Sequence, residues 1–253
     1  MLSIDLNCDM GEGFGPHDSG NDARVMPLIT SANIACGFHA SDPRMMARTV
    51  HLAAQHGVAI GAHPSYPDLV GFGRRAMELS VEEIEADVTY QVGALWAFCR
   101  AEGVPLRHVK AHGALYNKAA GDIATARAIA QAINKVDSSL IMVCLSNSAM
   151  VEAARESGVT FVEEAFADRA YTGEGKLVPR AKPGAVLHDP ALIAERVLRM
   201  ARDKIVVADD GSEVTLRPQT ICVHGDTPGS YEMLTAIRRR LEENGVQLKP
   251  FGR

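Results

Sequence analysis

The sequence predicts an α/β protein whose parallel strands close, or nearly close, into a (β/α) barrel. Seven short apolar runs recur along the 253 residues, and segments with helix start and stop signals separate them. Strands that alternate with helices form βαβ units and therefore a parallel sheet. Seven such units favour a barrel, and a doubly wound open sheet is the alternative. No linker or low-complexity tract interrupts the pattern, so we expect residues 1–253 to form one domain.

The strands are predicted from the apolar runs. In chain order these are Leu2–Leu6, Ala32–Ala35, Val58–Ile60, Leu106–Val109, Leu140–Leu145, Val159–Val162 and Thr220–Val223. Two further runs, Ile205–Ala208 and Val214–Leu216, flank a turn sequence and predict a hairpin before the last unit. Residues 171–186 are rich in glycine and proline and predict a long loop or a short extra hairpin.

The helices are predicted from their caps, because an N-cap side chain followed by proline, and a glycine at the end, satisfy the free backbone groups of a helix. The start signals are Asp42-Pro43, the capping box Ser80–Glu83, Asp189-Pro190 and Thr227-Pro228, and the terminating glycines are Gly57, Gly103, Gly158 and Gly245.

Composition excludes several classes of function. The formal net charge is −5, which gives no electrostatic footprint for nucleic acid or for an anionic membrane. No apolar run reaches the ~18 residues of a membrane span, and no export signal is visible at the N-terminus. The five cysteines form no C-x-x-C pair, so neither a disulfide framework nor a zinc knuckle is expected. We expect a soluble, cytoplasmic protein.

The stretch NCDMGEGFG after the first run resembles a phosphate-binding loop but lacks its features. Its glycines do not fit G-x-G-x-x-G, because Pro16 follows Gly15, and the carboxylates of Asp9 and Glu12 would repel phosphate. No G-x-x-x-x-G-K-[ST] occurs in the sequence. The glycines are therefore expected to bend the backbone so that Asp9 and Glu12 face inward.

Residues able to act as acids, bases or ligands follow each apolar run. They are Asn7, Asp9 and Glu12; Cys36 and His39; His63; Lys110 and His112; Ser146, Asn147 and Ser148; Glu163, Glu164, Asp168 and Arg169; and His224 and Asp226. The carboxyl ends of parallel strands meet on one face of a barrel, where active sites are built. A single histidine at a strand end is more often structural, but four that share one mouth with carboxylates favour a site. The remaining histidines, at positions 17, 51, 56, 108 and 188, fall outside this pattern.

A divalent metal such as zinc or manganese is possible at this mouth, with Asp9, His39, His63 and His112 as candidate ligands. No H-x-H or H-E-x-x-H spacing supports it, and no G-x-S-x-G elbow supports a serine nucleophile.

Six blocks together resemble the LamB/YcsF family over nearly the whole chain. They are DLNCDMGEGFG, ANIACGFHASDP, GAHPSYPDLVGFGRR, KAHGALYN, EAFADRAYTGEGKLVPR and ICVHGDTPG. The chain has Ala111 where the family usually has proline and Ser41 where it usually has glycine, and neither change removes a chemical group. The resemblance implies an irregular (β/α) TIM-like barrel of seven or eight strands, similar to the glycoside hydrolase/deacetylase group. It also implies a role with 5-oxoprolinase subunits B and C in the ATP-dependent opening of 5-oxoproline to L-glutamate, with ATP handled by the partners.

The expected mechanism uses Asp9 or Glu12 as the base for water, and His63 or His112 shares the proton transfer. Lys110 and Arg74 are expected to hold the substrate carboxylate or phosphate, with Arg74 on a mobile segment, residues 71–75. The full set of predicted substrate-binding residues is Asn7, His39, Arg74, Lys110, Asn117, Asp168, Arg169, His224 and Asp226. Two alternatives stay open: a stand-alone metal-dependent deacetylase or amidase acting on a small amide or carbohydrate, and a non-catalytic partner that binds substrate or stabilises subunits B and C.

Overall fold

The computed structural model describes residues 2–15, 21–224 and 229–252. In this part of the chain the strands are β1 (Ser3–Met10), β2 (Ser31–Ala35), β3 (Ala59–His63), β4 (Leu106–Val109), β5 (Ile141–Leu145), β6 (Phe161–Phe166), β7 (Ile205–Val207), β8 (Glu213–Thr215), β9 (Thr220–Cys222) and β10 (Gln247–Leu248). The α-helices are α1 (Asp22–Val25), α2 (Pro43–His56), α3 (Val81–Glu102), α4 (Gly113–Gly121), α5 (Ile123–Val136), α6 (Ala149–Glu156), α7 (Pro190–Arg202) and α8 (Ser230–Glu243), with a 3-10 turn at Met26–Leu28.

Seven parallel strands close into a barrel in the order β1-β2-β3-β4-β5-β6-β9. The last strand, β9, pairs with β6 on one side and with β1 on the other, in a register that sets Asn7 opposite Cys222. The predicted barrel is therefore confirmed over the open sheet. Strand β10 adds in parallel to the start of β1, and β7 and β8 form the predicted antiparallel hairpin.

Local capping fixes most helix boundaries where the sequence predicts them. Asp42 accepts hydrogen bonds from the backbone N–H groups of residues 44 and 45, and Gly57 ends α2 in the left-handed conformation, with φ of 65°. Ser80 and Glu83 form a reciprocal capping box at the start of α3. The signal Thr227-Pro228 lies outside the described residues, and α8 begins only at Ser230.

Strand β1 is longer than its apolar run and continues through Met10. Successive side chains of a strand point to opposite faces, so Asp5, Asn7 and Asp9 share the inner face of the barrel. Leu6 and Cys8 alternate with them and belong to the hydrophobic core. The barrel interior is thus polar, and the apolar core lies between the strands and the surrounding helices.

The bottom of this polar interior is closed by Asp5. Thr30 and Ser31 donate their hydroxyls to Asp5 Oδ1, each at 2.6 Å, and Thr220 donates to Oδ2. Burial raises the pKa of Asp5 to about 6 despite these three hydrogen bonds. The hydroxyls satisfy a carboxyl group that would otherwise be costly to bury.

The described residues contain no helix long and apolar enough to cross a membrane. All five cysteines are buried free thiols.

Candidate active site

A cavity of about 610 Å³ opens at the carboxyl ends of the barrel strands. Its wall includes predicted site residues from β1, from β3 and from the segments after β4 and β9, and basic residues of the surrounding loops. The charged and imidazole side chains in this wall are Asp9, Glu12, His63, Arg74, Lys110, His112, Arg169, Glu174, Lys176, Arg180 and His224. Lys176 is paired with Glu174 at 2.8 Å and Arg169 is buried, so the positive charge of the entrance comes from Arg74 and Arg180.

Lys110 lines the floor of this cavity and is only 2% exposed, so it is not a surface lysine. Its Nζ lies 3.1 Å from Asp9 Oδ1, 3.0 Å from Glu164 Oε1 and 3.0 Å from Cys222 Sγ. Burial alone would lower the pKa of Lys110, but Asp9, Cys222 and Glu164 together hold it well above its usual value. The ammonium stays charged, and it donates hydrogen bonds to Asp9 Oδ1, to Cys222 Sγ and, at 3.3 Å, to Asn7 Oδ1, with Glu164 as a further ion-pair partner.

Asp9 is the carboxylate that this ammonium fixes in place. Asn33 donates to Asp9 Oδ1 at 2.9 Å, and the other oxygen, Oδ2, lies 3.4 Å from His63 Nε2. Burial by itself would raise the pKa of Asp9, but His63 and Lys110 outweigh it and hold that pKa well below the usual range. Asp9 is therefore an anion and a weak base, suited to orienting a neighbouring imidazole.

The tautomers of His63 and His112 follow from their backbone partners. His63 Nδ1 lies 2.7 Å from the Lys110 carbonyl oxygen, and His112 Nε2 lies 2.9 Å from the Phe72 carbonyl oxygen. A carbonyl only accepts, so each of these nitrogens carries the hydrogen. The remaining nitrogens, His63 Nε2 and His112 Nδ1, face one another at 3.0 Å. Two lone pairs at this distance need a cation between them, either a proton or a metal.

Glu12 and His39 complete this cluster. Glu12 Oε1 lies 3.2 Å from His39 Nε2 and 3.4 Å from His112 Nδ1. The rings of His39 and His112 stack with their centroids 3.8 Å apart. Burial holds the pKa of both histidines well below the usual range, so both favour the neutral, ligand-competent form.

The residues Glu12, His39, His63 and His112 fit a divalent metal. They each offer one ligand atom, and these atoms all lie within 4.8 Å of one another. Ligands at about 2.1 Å from a metal are separated by about 3.0 Å in octahedral and about 3.4 Å in tetrahedral geometry. Three of the six separations, 3.0, 3.2 and 3.4 Å, lie in this range, and the other three are within 4.8 Å. Asp9 was expected among these ligands, but it lies beside the group, next to His63.

Asp9, Cys222 and His224 form a second group of this kind, which fits a metal poorly. Burial raises the pKa of the Cys222 thiol well above its usual value, and the Lys110 ammonium already touches its sulfur. A thiol must lose its proton to bind a metal.

His224 and Asp168 form a separate dyad on the opposite side of the mouth. His224 Nδ1 lies 2.9 Å from both oxygens of Asp168, so it donates to this carboxylate. Burial by itself would raise the pKa of Asp168, but the His224 ring outweighs it and holds that pKa below its usual value. The other nitrogen, His224 Nε2, accepts a hydrogen bond of 2.6 Å from Arg180 Nη2.

Several predicted substrate-binding residues lie behind the cavity wall. Asn7 uses both amide hydrogens on Glu164 and Thr220 and is 1% exposed. His39 and Asp168 are equally buried, with their partners inside the protein. These side chains position the groups that face the cavity. Asn117 on α4 faces it directly, and Asp226 lies outside the described residues.

The two predicted arginines differ in their placement. Arg169 is buried and donates to the carbonyl oxygens of Val178 and Ala185, which ties down the loop of residues 171–186. Burial lowers its pKa to about 10. Arg74 is exposed at the cavity rim, with its guanidinium 4.9 Å from the centre of the Phe72 ring.

The segment that carries Arg74, predicted to be mobile, is a turn with backbone hydrogen bonds in this structure, and its mobility stays a prediction. Gly73 N donates to the Asp68 carbonyl oxygen, and Gly73 O accepts from the backbone of Ala114, both at 2.8 Å. Phe72 and Gly73 are both left-handed, and a Cβ at Gly73 would crowd the histidine cluster. The turn is held by the site that it borders.

Residues beyond the predicted catalytic and substrate-binding sets also shape the site. Asn33, His108 and Glu164 connect the buried network, and Arg180 caps His224. The alternation of polar and apolar residues at 5–10 and 31–34 was the available signal for a polar strand face. Glu163 and Glu164 were expected after the sixth strand, but β6 continues to Phe166 and sends Glu164 into the barrel.

Comparison with known proteins covers the chain from end to end. The model of the LamB/YcsF family matches residues 4–253. The A subunit of 5-oxoprolinase from Symbiobacterium thermophilum is 55% identical over 248 residues, which cover 98% of this chain and 95% of that protein. The crystal structure of a lactam utilization protein from Thermus thermophilus superposes with a TM-score of 0.95 at 50% identity, covering 99% of this chain and all of the other.

A more distant likeness concerns the fold alone. The catalytic domain of a peptidoglycan N-acetylglucosamine deacetylase from Eubacterium rectale covers 99% of this chain and 88% of its own, with a TM-score of 0.50 at 11% identity. The barrel is thus of the type found in deacetylases, as the sequence predicts. With a family model that spans nearly the whole sequence and relatives of more than half identity, the chain belongs to the LamB/YcsF family.

Proposed function

We propose that this chain is the A subunit of an ATP-dependent 5-oxoprolinase that, with subunits B and C, hydrolyses 5-oxoproline to L-glutamate. The observation that carries the proposal is a cationic cavity over paired carboxylates and imidazoles, in a chain matched end to end by proteins named as A subunits of 5-oxoprolinase. We also propose that residues 1–253 act as one domain in the cytoplasm, where buried free thiols persist.

The cavity suits a small anionic lactam. 5-Oxoproline carries one carboxylate, and phosphorylation of its amide oxygen would add further negative charge. Arg74 lies at the rim with a guanidinium able to bind such groups in a bidentate manner. The sequence has no phosphate-binding loop of the P-loop type, which supports the assignment of ATP handling to the partner subunits.

The proposed chemistry needs two waters for each ATP. Phosphoryl transfer from ATP to the lactam oxygen leaves ADP and makes the carbon electrophilic. Water adds to this carbon and loses a proton, and the C–N bond breaks as the ring nitrogen gains a proton. The resulting acyl phosphate takes a second water and releases phosphate and L-glutamate.

The cluster geometry supports roles for its members in the first water attack. His63 Nε2 and His112 Nδ1 share one proton across 3.0 Å, so the pair takes a proton from water as it passes the shared proton to the ring nitrogen, whereas Lys110 holds Asp9 as a weakly basic anion. Asp9 and Glu12 flank the pair at 3.4 Å and stabilise the positive charge that it carries. This assignment prefers imidazoles over either carboxylate as the base.

The direct test is glutamate release from 5-oxoproline by this chain with and without subunits B and C and ATP. Turnover that requires all of these components supports the proposal. Turnover by B and C alone supports the non-catalytic alternative, as does full activity of the complex after alanine substitution at both His63 and His112.

A second candidate function, a metal-dependent amidase or deacetylase, is favoured by one specific observation. The lone pairs of His63 and His112 converge with Glu12 and His39 at ligand-to-ligand distances. A divalent metal bound there would act as a Lewis acid and lower the pKa of a bound water. These four side chains would hold the ion, and the Lys110 carbonyl oxygen, which accepts from His63 Nδ1 at 2.7 Å, would orient His63 toward it.

Metal analysis separates the two candidates. For the second candidate we expect about one equivalent of zinc or manganese in the purified chain, lost in a His63→Ala, His112→Ala double variant. ATP-independent amide hydrolysis that a chelator abolishes would favour it. A metal-free chain with full ATP-dependent turnover in the complex would remove it.

A further inference from the structure

The loop of residues 171–186 places the guanidinium of Arg180 against His224 Nε2, the ring nitrogen through which His224 could accept a proton. Arg180 Nη2 donates to His224 Nε2 at 2.6 Å, while His224 Nδ1 donates to Asp168 at 2.9 Å. An arginine has no acceptor, so Nε2 must carry a lone pair. His224 is therefore held as a neutral imidazole with its basic nitrogen covered.

His224 and Asp168, which lie behind Arg180, have the arrangement of a general base and the carboxylate that orients it. Asp168 is fully buried and fixes the tautomer of His224 through Nδ1. The ring of His224 stacks on Phe166, with centroids 5.5 Å apart, which fixes its plane. A ring nitrogen of His224 also lies within 4.8 Å of a carboxylate oxygen of Asp9, so the dyad borders the same reaction space as the histidine cluster.

Arg180 is placed to leave this position. Its side chain is exposed, and the structure's described residues offer it no carboxylate within salt-bridge distance. The backbone beside it is fixed, because Arg169 donates to the Val178 carbonyl oxygen at 2.6 Å and the backbone of Lys182 donates to the Pro179 carbonyl oxygen at 2.9 Å. The guanidinium can therefore move without the loop. A neutral imidazole is a weaker partner for it than a carboxylate or phosphate, which forms two charge-assisted hydrogen bonds.

We propose that Arg180 caps His224 in the resting protein and is drawn away by the anionic group of the substrate, which frees the His224–Asp168 dyad as a second proton acceptor. This inference rests on the proposed function for the identity of the anion, a carboxylate or phosphate on a small lactam. Arg180 thereby binds the substrate and makes the base available only when substrate is present. A second acceptor suits a reaction in which two waters attack in turn.

Nuclear magnetic resonance of the chain labelled with ¹⁵N-histidine tests the cap without relying on turnover. The probes are 5-oxoproline and inorganic phosphate, added to the labelled chain alone and with its unlabelled partners B and C. We expect either probe to change the His224 Nε2 chemical shift in the native protein. In Arg180→Gln, this resonance should start at the uncapped position and should not move on addition of the probe.

A matched control is Lys182→Gln, which removes one positive charge from the same loop at an exposed residue outside the cavity wall. Its His224 resonance should respond as in the native protein. No change of the native resonance with either probe would overturn the proposal, and so would an equal change in the native protein and Arg180→Gln.

Kinetics of the reconstituted complex separate binding from base chemistry. Arg180→Gln should raise KM for 5-oxoproline about tenfold or more and leave kcat within about threefold, because the dyad is then permanently uncapped. Arg180→Lys should recover part of the loss in KM. His224→Gln should lower kcat by about a hundredfold or more with little effect on KM. A fall in kcat of Arg180→Gln as large as that of His224→Gln, with KM unchanged, would overturn the cap. If the probes displace Arg180 but the complex releases no glutamate, the cap stands and the proposed function fails.

Discussion

Replacing Lys110 with methionine tests the buried network that holds the candidate site together. Methionine keeps most of the volume of the lysine stem, so the substitution removes mainly the charge. The ammonium lies 3.1 Å from Asp9 Oδ1 and 3.0 Å from Glu164 Oε1, and all three side chains are at most 8% exposed. The variant therefore buries two carboxylates without their shared cation.

The expected loss is large relative to the stability of a typical domain. Removal of one partner from a buried ion pair costs about 3–5 kcal/mol, because the remaining charge stays desolvated. Domains are stable by about 5–15 kcal/mol in total. We expect Lys110→Met to lower the free energy of unfolding by about 3–5 kcal/mol at pH 7.5.

The loss should shrink at lower pH. In the native protein the pKa of Asp9 lies below that of the unfolded chain, so Asp9 contributes stability at neutral pH that is lost only as pH falls through the folded pKa. Without Lys110 the folded pKa of Asp9 should lie above the unfolded one. The cost of burying the unpaired Asp9 carboxylate is then present at pH 7.5 and decreases as the pH is lowered and Asp9 becomes protonated.

Urea denaturation at pH 7.5 and pH 5 measures both effects. The double variant Lys110→Met, Glu164→Gln removes one of the two unpaired charges and should recover about 1–3 kcal/mol at pH 7.5. A loss below about 1 kcal/mol in the single variant, or a loss that does not change with pH, would refute the reasoning.

Three further predictions follow from buried contacts of the barrel. A Cβ at Gly61 would overlap the His108 imidazole, so Gly61→Ala should lower the free energy of unfolding by about 3 kcal/mol, measured by thermal or urea unfolding. The control is Gly93→Ala on α3, where a Cβ meets open space, and it should be neutral or stabilising. Equal effects of the two substitutions would contradict this prediction. Burial lowers the pKa of His108 to about 3, against about 6.5 in the unfolded chain. As the pH is lowered, the unfolded chain therefore binds a proton that the folded chain does not, and the free energy of unfolding decreases. His108 should account for about 2 kcal/mol of the decrease in the free energy of unfolding between pH 7 and pH 5. His108→Gln should lose this part of the pH dependence, and a variant that keeps it would show that His108 is not the titrating group. Asp9→Asn should slow glutamate release by the reconstituted complex by about a hundredfold or more, and a folded variant with undiminished turnover would remove Asp9 from the mechanism.

The order of strands and helices was predictable because its signals are local. The caps at Asp42, Ser80 and Asp189 bind backbone groups two or three residues away, so the sequence displays each interaction within a single turn. The hairpin of β7 and β8 is similarly local. The mouth histidines were also predictable, since each follows a strand whose end must lie on one face of a parallel barrel.

Strand lengths were less predictable, because apolar content marks only the part of a strand that contacts the hydrophobic core. In β1, the run of apolar residues ends at Leu6, but the strand continues with Asn7 and Asp9 on its inner face. In β6 the same effect hid the role of Glu164. A polar barrel interior departs from the usual filling by branched apolar side chains, so the sequence pattern predicts loops at these strand ends.

The sequence by itself determined the barrel, the family and the face that carries the polar groups, because repeated short-range patterns specify them. Only the tertiary structure decided what each group does. His63 meets His112 across 49 residues, and Arg180 reaches His224 across 44, at distances of 3.0 and 2.6 Å. Hydrogen-bond direction sets which nitrogen carries a proton, and this direction depends on backbone carbonyls and loop positions that are distant in sequence. The lone pairs that face one another and the covered base of His224 exist only once the chain has closed into its barrel.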